Sequence, residues 1–178
     1  MMGTLRSHSR FSFPDPGPES MRELILLRHA HAEPAAPGQA DLDRPLSAEG
    51  LAEAEAAGRW LAEQRLVPDC VLCSPSRRSR ETLEAVLGAI GYVDQRIEPS
   101  IYDATPGTLI SLADAHAQST RLLMVGHNPG FEQLAALLHS GQSGDYRGMP
   151  PGGIAVLTLP AGAALEPGAA QLSAFWWP

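Results

Sequence analysis

The amino-acid sequence predicts a layered α/β fold with a largely parallel central sheet. Short aliphatic segments of strand length alternate with longer segments whose apolar residues recur at helical spacing. This alternation is typical of strands joined by crossover helices. The chain has 178 residues, 44% of them hydrophobic, which is sufficient for one domain with a substantial core.

In the first half of the chain, aliphatic runs and capping residues predict two strands and two helices. Leu24–Leu27 is an aliphatic strand, and Val71-Leu72 lies in the second strand. Ser47 can cap a helix that continues to about Gln64, with an expected buried face of Leu51, Ala54, Ala57 and Leu61. A helix from about Arg77 to Ile90 should end near Gly91.

The second half continues the alternation. A short strand is expected near Ile97, followed by a helix from about Thr108 to Gln118. Leu122–Val125 is an aliphatic strand, and a helix should run from about Pro129 to His139. Two closing strands are predicted over 154–159 and 169–176, with Trp176 and Trp177 packing at the last of them and Trp177 partly exposed.

Residues 1–20 differ in composition from the rest. Pro14, Pro16 and Pro18 preclude helix and sheet there, so we expect a disordered or loosely docked extension before a single domain of residues 21–178.

No apolar run reaches the roughly 18 residues of a membrane span, and no secretory signal is apparent. We therefore expect a soluble, cytoplasmic protein.

The charged residues and cysteines exclude several kinds of chemistry. A net charge of −7 argues against nucleic-acid binding. The sequence contains no lysine, which excludes a P-loop lysine or a Schiff base. Cys70 and Cys73 are three apart on a predicted strand, so they should face opposite sides of the sheet and serve as buried packing.

Polar clusters follow three of the predicted strands directly. They are Arg28-His29-Ala30-His31, Ser74-Pro-Ser-Arg-Arg78 and Gly126-His127-Asn128-Pro129. The carboxyl ends of parallel strands lie at one edge of a sheet, so these clusters should converge on one site. Arginine guanidinium groups match phosphate oxygens, and helix N-termini add N–H donors. Their positive field should keep nearby histidines neutral, leaving one imidazole free to attack phosphorus.

These three motifs together resemble the histidine phosphatase superfamily, and in particular its short phosphohistidine phosphatase branch, the SixA type. The likeness extends from about Met21 to the C-terminus and includes Asp43-Arg44-Pro45-Leu46-Ser47, Gly50, Gly58-Arg59-Trp60-Leu61, Tyr102 and Pro151-Gly-Gly-Ile-Ala155. It implies a phosphoglycerate-mutase-like, three-layer α/β/α sandwich. It also implies a metal-independent and cofactor-independent phosphatase.

The resemblance assigns roles residue by residue. His29 would be the nucleophile that becomes phosphorylated, with Arg28, Arg78 and His127 completing the phosphate pocket. Asn128 would assist in substrate binding, and Arg44 would either lie at the pocket mouth or brace its loop against Asp41 or Asp43. Arg77 and Arg80 would be surface or rim residues.

The general acid and the substrate are less defined by the pattern. Candidates for a proton donor are Asp103 and, less favoured, Glu98, neither in a clear acid motif. A phosphohistidine can leave as neutral imidazole, so we expect a preference for P–N bonds or good leaving groups. The expected substrate is a phosphorylated protein, through phosphohistidine, or a small phosphorylated metabolite.

Several alternatives remain beside this interpretation. A small-molecule phosphomonoesterase or a mutase would use the same site, and a phosphate-binding module would use it without turnover. A metal hydrolase would use His29, His31 and His127 with Asp41 or Asp43, but the adjacent arginines would repel a cation. His31 itself could line the pocket rim or face solvent, whereas His8, His116 and His139 are expected to be ordinary surface or helix residues.

Overall fold

A six-stranded sheet forms the centre of the protein in the computed structural model, which describes residues 21–145 and 148–178. The strands are β1 (Met21–Arg28), β2 (Cys70–Cys73), β3 (Gln95–Ile97), β4 (Arg121–Gly126), β5 (Ile154–Pro160) and β6 (Gln171–Trp176). Their order is β3-β2-β4-β1-β5-β6. The first four are parallel neighbours, and β5 and β6 add antiparallel pairs. The predicted, mostly parallel sheet is confirmed.

Helices cover both faces of this sheet. They are α1 (Ala48–Glu63), α2 (Arg77–Ile90), α3 (Pro106–Ala115) and α4 (Gly130–Ser140). Leu24 and Leu26 pack in a core with α3 and α4, whereas Ile25 and Leu27 pack in a second core with α1 and α2. Because alternate residues of a strand face opposite sides, a strand buried on both faces is apolar throughout. The three-layer sandwich is thus confirmed.

Local capping residues fix the ends of the helices near the sheet edge. Ser47 accepts a hydrogen bond from the Gly50 amide at the start of α1, as predicted. Ser76 accepts from Ser79 at the start of α2, and Gly91 ends that helix with a φ of 85°. Such caps satisfy backbone groups that a helix leaves unpaired at its termini.

Two details of the predicted helices are wrong. α3 begins earlier, at Pro106 after an N-cap at Thr105, and it ends at Ala115. The Thr105 hydroxyl caps the helix by accepting a hydrogen bond from the Thr108 amide, and Pro106 suits the first helical position. Leu51 is 48% exposed and not part of the buried face of α1. It lines a cavity between α1 and α2, where the opposing residues Ala85, Gly88 and Ala89 are too small to cover it.

The cysteines and tryptophans lie where their packing roles predict. Cys70 belongs to the core on the α3 and α4 face, and Cys73 to the core on the other face. Both are buried free thiols, and burial raises the pKa of Cys73 to about 12. Trp176 stacks on Trp60 at 5.4 Å, and Trp177 is 54% exposed.

The predicted N-terminal extension, residues 1–20, lies outside the described residues. Among the helices that the structure describes, none has both the length and the apolar character needed to cross a membrane.

Candidate active site

Three central strands of the sheet end at a common edge. β4 lies between β1 and β2, and Arg28 at the end of β1 is in register with Gly126 at the end of β4. Cys73 at the end of β2 is in register with Val125. The polar clusters that follow these strands therefore start at the same level and meet, although they are separated by about 50 residues in sequence.

His29 has its two ring nitrogens in different roles. Nδ1 lies 2.7 Å from the carbonyl oxygen of Ala30, and a carbonyl can only accept, so Nδ1 carries the proton. The Nε of Arg78 donates to Nε2 of His29 at 3.3 Å. Nε2 is therefore the unprotonated nitrogen, with its lone pair turned toward the arginine.

Arg78 is held from the other side by the loop before α1. Its Nη1 donates to the Asp41 carbonyl oxygen at 2.7 Å, and its Nη2 donates to the Asp41 carboxylate at 3.0 Å. Only 7% of the Arg78 side chain is exposed. Arg44 donates from Nη1 to the same carboxylate and from Nε to the Glu33 carbonyl. Arg44 thus braces the loop that holds Arg78.

His127 lies directly beside His29, with ring centroids 5.0 Å apart. Its Nε2 is 2.7 Å from the hydroxyl of Ser74, which also accepts from the Ser76 amide. The ring of Tyr102 meets His127 edge-on at 5.4 Å, and the Tyr102 hydroxyl donates to Asp41. His127 is therefore fixed by side chains from two other segments.

Arg28 and Asn128 are fixed by the segment before β5. Arg28 Nη1 donates to the Met149 carbonyl at 2.7 Å, and Asn128 Nδ2 donates to the same oxygen at 3.0 Å. Glu132 accepts from Asn128 Nδ2 and from the Met149 amide. Within the described part of the chain, the buried Nε of Arg28 has no hydrogen-bond partner.

The environment keeps both histidines neutral. Burial is the largest cause that lowers the pKa of His29 to about 4, and Arg78 and Arg28 lower it further. Burial is also the largest cause that lowers the pKa of His127 to about 3, and the positive charge of Arg78 lowers it further. The neutral state predicted from the sequence agrees with this, but desolvation contributes more than the positive field of the arginines.

Asp41 is the charged residue whose part in this site the sequence did not reveal. Its carboxylate accepts from Tyr102, Arg44 and Arg78, and these bonds hold its pKa far below the usual range. The pattern of charges suggested it only as a partner for Arg44 or as a metal ligand. Ser74 could be found from the sequence because it begins its motif, and Tyr102 because it is part of the family resemblance. No local sequence signal marks Glu132.

Other predicted residues lie at the rim or outside the site. Asp103 is exposed and lines a cavity next to Tyr102 and His127. Glu98 accepts from Ser100 and caps the 3-10 turn at Pro99–Ile101. Exposed Arg77 pairs with Glu81, and exposed Arg80 donates to the Pro75 carbonyl, as surface residues would.

The remaining histidines serve elsewhere. His31 is exposed, and its Nδ1 lies 2.6 Å from Glu53. His116 Nδ1 contacts the Leu112 carbonyl, and His139 accepts from the Leu172 amide, so both are structural. His8 lies outside the described residues.

The geometry does not assemble the ligand set of the metal-hydrolase alternative. In residues 21–145 and 148–178, the acidic and histidine side chains close enough to share an ion are His31, Glu49 and Glu53. His29 and His127 are not in that group. His29 Nε2 instead accepts from a cationic arginine, which is a setting for an anion.

Comparison with known proteins agrees with this arrangement. Residues 24–120 match the family model of the histidine phosphatase superfamily, branch 1. An uncharacterized protein of Mycobacterium tuberculosis is 40% identical over 161 residues, covering 83% of this chain and 98% of that protein. The phosphohistidine phosphatase SixA of Escherichia coli is 27% identical over 128 residues, covering 68% of this chain and 76% of that protein.

Solved structures show the same fold. A candidate phosphohistidine phosphatase SixA from Agrobacterium tumefaciens superimposes with a TM-score of 0.77 at 34% identity, covering 88% of this chain and 98% of that one. The sheet order and the helical layers are those of the phosphoglycerate-mutase-like sandwich. By the family match and these relatives, the chain belongs to the histidine phosphatase superfamily and is a phosphatase.

Proposed function

We propose that the protein is a SixA-type phosphatase that hydrolyses protein phosphohistidine through a phosphorylated His29. The observation that carries the proposal is the pair of contacts at His29, Nδ1 with the Ala30 carbonyl and Nε2 with Arg78. They leave Nε2 unprotonated and beside the guanidinium group of Arg78, which can hold a phosphoryl group against it.

The first chemical step follows from these positions. Arg28 and Arg78 bind the phosphoryl oxygens, and Nε2 of His29 forms a bond to phosphorus as the bond to the leaving nitrogen breaks. The electron pair of the broken bond remains on the leaving imidazole, which departs neutral when its other nitrogen is protonated. A water molecule then attacks the phosphorus on His29, releasing inorganic phosphate and regenerating the imidazole.

His127 would stabilise charge on the phosphoryl oxygens in both steps. The Ser74 hydroxyl already accepts from the Ser76 amide, so its own proton is available to His127 Nε2. In that tautomer Nδ1 of His127 carries a proton to donate to the phosphoryl group. Ser74 acts here as a positioning residue, because it contacts His127 and not the substrate.

Two features support phosphohistidine over an alkyl phosphate. Asp103 is exposed and Glu98 caps the 3-10 turn, so neither carboxylate is placed against His29. A P–N bond needs a protein acid less than a C–O–P bond does. The segment from Arg78 to His127 holds the remainder of α2, then β3, the 3-10 turn at Pro99–Ile101, α3 and β4, without an added lid domain, which suits an open pocket for a protein substrate.

The test is hydrolysis of a phosphohistidine peptide, an aryl phosphate and glycerol phosphate by wild type and His29→Ala, with and without EDTA. We expect EDTA-resistant turnover that His29→Ala abolishes, with a phosphorylated His29 trapped by rapid quench and mass spectrometry. Comparable turnover of glycerol phosphate would contradict the P–N preference. Loss of activity in EDTA would contradict the metal-independent mechanism. Binding of phosphate without turnover would instead indicate a phosphate-binding module.

A further inference from the structure

A second depression opens beside the candidate phosphate pocket. This outer cavity has a volume of about 270 Å³ and shares His127 and Tyr102 with the site. His29 does not line it. The side chains of Asp103, Thr105, Asn128 and Gln133 give its walls hydrogen-bonding groups. Its size is slightly below that of pockets for drug-sized ligands, so it suits a single ring or one amino-acid side chain.

The outer cavity adjoins the place where a phosphoryl group on His29 would lie. The attacking and leaving atoms lie roughly in line on opposite sides of phosphorus. A phosphoryl group bound to His29 therefore points its leaving group away from that ring, and His127 stands next to His29 at 5.0 Å between centroids. The outer cavity is lined by His127 and Asn128 of the candidate site, so it offers a surface for the leaving group next to the phosphoryl group.

Among the described residues that line the outer cavity, Asp103 is the only one with a charged side chain, and it is exposed. These lining residues therefore carry a negative charge. In the described residues Asp103 has no ion pair or side-chain hydrogen bond. Asp41, on the other side of Tyr102, is instead neutralised by Arg78 and Arg44. The uncompensated carboxylate next to the leaving group is therefore that of Asp103.

We propose that the outer cavity binds the leaving group and that Asp103 makes it selective for cationic or N–H-donating groups over groups that carry a carboxylate. A protonated imidazole or an amine near the phosphoryl group meets this requirement, and an acidic metabolite does not. The inference rests on the proposed function, because it places the phosphoryl group at His29. It assigns Asp103 to substrate selection and not to proton donation.

Binding of non-hydrolysable ligands tests the inference without turnover. We would measure by calorimetry the Kd of three benzylphosphonates, with a para aminomethyl, carboxamide or carboxylate group, for wild type and Asp103→Asn. Wild type should bind the aminomethyl ligand about fivefold more tightly than the carboxylate ligand, the size expected for one exposed charge pair. This ratio should shrink toward one in 1 M salt and in Asp103→Asn.

Asp94→Asn is the matched control. Asp94 is an exposed aspartate directly before β3, at the end of the strand away from the site, so this variant changes net charge equally but leaves the outer cavity intact. It should keep the wild-type ratio. A wild-type ratio near one, or an unchanged ratio in Asp103→Asn, would overturn the inference. Failure of the proposed function is seen separately, as aryl phosphate turnover that persists in His29→Ala.

Discussion

Arg78 donates from Nε to Nε2 of His29 at 3.3 Å, and the same guanidinium group is clamped by Asp41 through Nη1 and Nη2. One planar side chain thus connects the candidate nucleophile to the loop before α1. The three donor positions of the guanidinium are used in different directions. The contact pattern depends on the shape of the group as well as on its charge.

Replacing Arg78 by lysine should therefore be severe, although it keeps the positive charge. An ammonium group cannot contact His29, the Asp41 carbonyl oxygen and the Asp41 carboxylate at the same time with fixed geometry. We expect kcat/KM for a phosphohistidine peptide to fall by at least about 100-fold, the usual loss when a transition-state donor is removed. Arg77→Lys, at the exposed neighbouring position, should change it less than about twofold. An Arg78→Lys enzyme near wild-type activity would exclude the proposed role.

The lowered pKa of His29 can be measured directly. Its ring signal in an NMR titration, assigned by comparison with His29→Asn, should have a midpoint of about 4 and not change between pH 7 and 5.5. A midpoint near the ordinary histidine value of about 6.5 would show that burial does not depress this pKa.

The lowered pKa of His29 also makes the free energy of unfolding depend on pH. The pKa of His29 in the folded protein lies below its unfolded value, so the unfolded chain binds more protons as pH falls through that interval. The free energy of unfolding should therefore decrease from about pH 6.5 to pH 4, by at least about 1.4 kcal/mol for a shift of one pKa unit or more. Urea denaturation at pH 6.5 and pH 4 measures whether the free energy of unfolding decreases. A smaller decrease in His29→Asn would show that His29 is the source of the pH dependence.

Ser74→Ala should affect catalysis more than folding. The variant removes the partner of His127 Nε2, so the tautomer that donates to phosphate is no longer selected. We expect kcat to fall about 10-fold or more with a smaller change in KM. Ser79→Ala removes a comparably buried hydroxyl that bonds Ser76 and not His127, and it serves as the control. Equal losses of kcat in both variants would point to a general loss of packing.

Two glycine substitutions should change stability in opposite directions. A Cβ on Gly50 would lie 1.9 Å from the backbone oxygen of His31, so Gly50→Ala must displace the segment after β1. We expect it to lower the free energy of unfolding by about 1–3 kcal/mol or more. A Cβ on Gly88 meets nothing within 4 Å in α2, and Gly88→Ala should stabilise by about 0.5–1 kcal/mol. Thermal unfolding of both variants measures the difference; a stabilised Gly50→Ala would contradict the close approach.

The sequence alone predicted the features that depend on local interactions. Aliphatic runs such as Leu24–Leu27 predicted strands, and Ser47 and Gly91 predicted helix ends, because caps and periodicity act within a few residues. The shared edge of parallel strands brought His29, Arg78 and His127 into one predicted site before any distance was known. Leu51 and the start of α3 were predicted wrongly, since neighbouring helices and competing caps decide such details.

Only the tertiary structure decided how these side chains are held. Tyr102 and Asp41 are 61 residues apart in sequence, and no local pattern links them to each other or to Arg78. The bond from the Met149 amide to Glu132 likewise arises from packing of α4 against the segment before β5. The sequence determined which groups can bind and attack a phosphoryl group. Their tautomers, neutral state and orientation follow from burial and from partners that only the folded chain brings together.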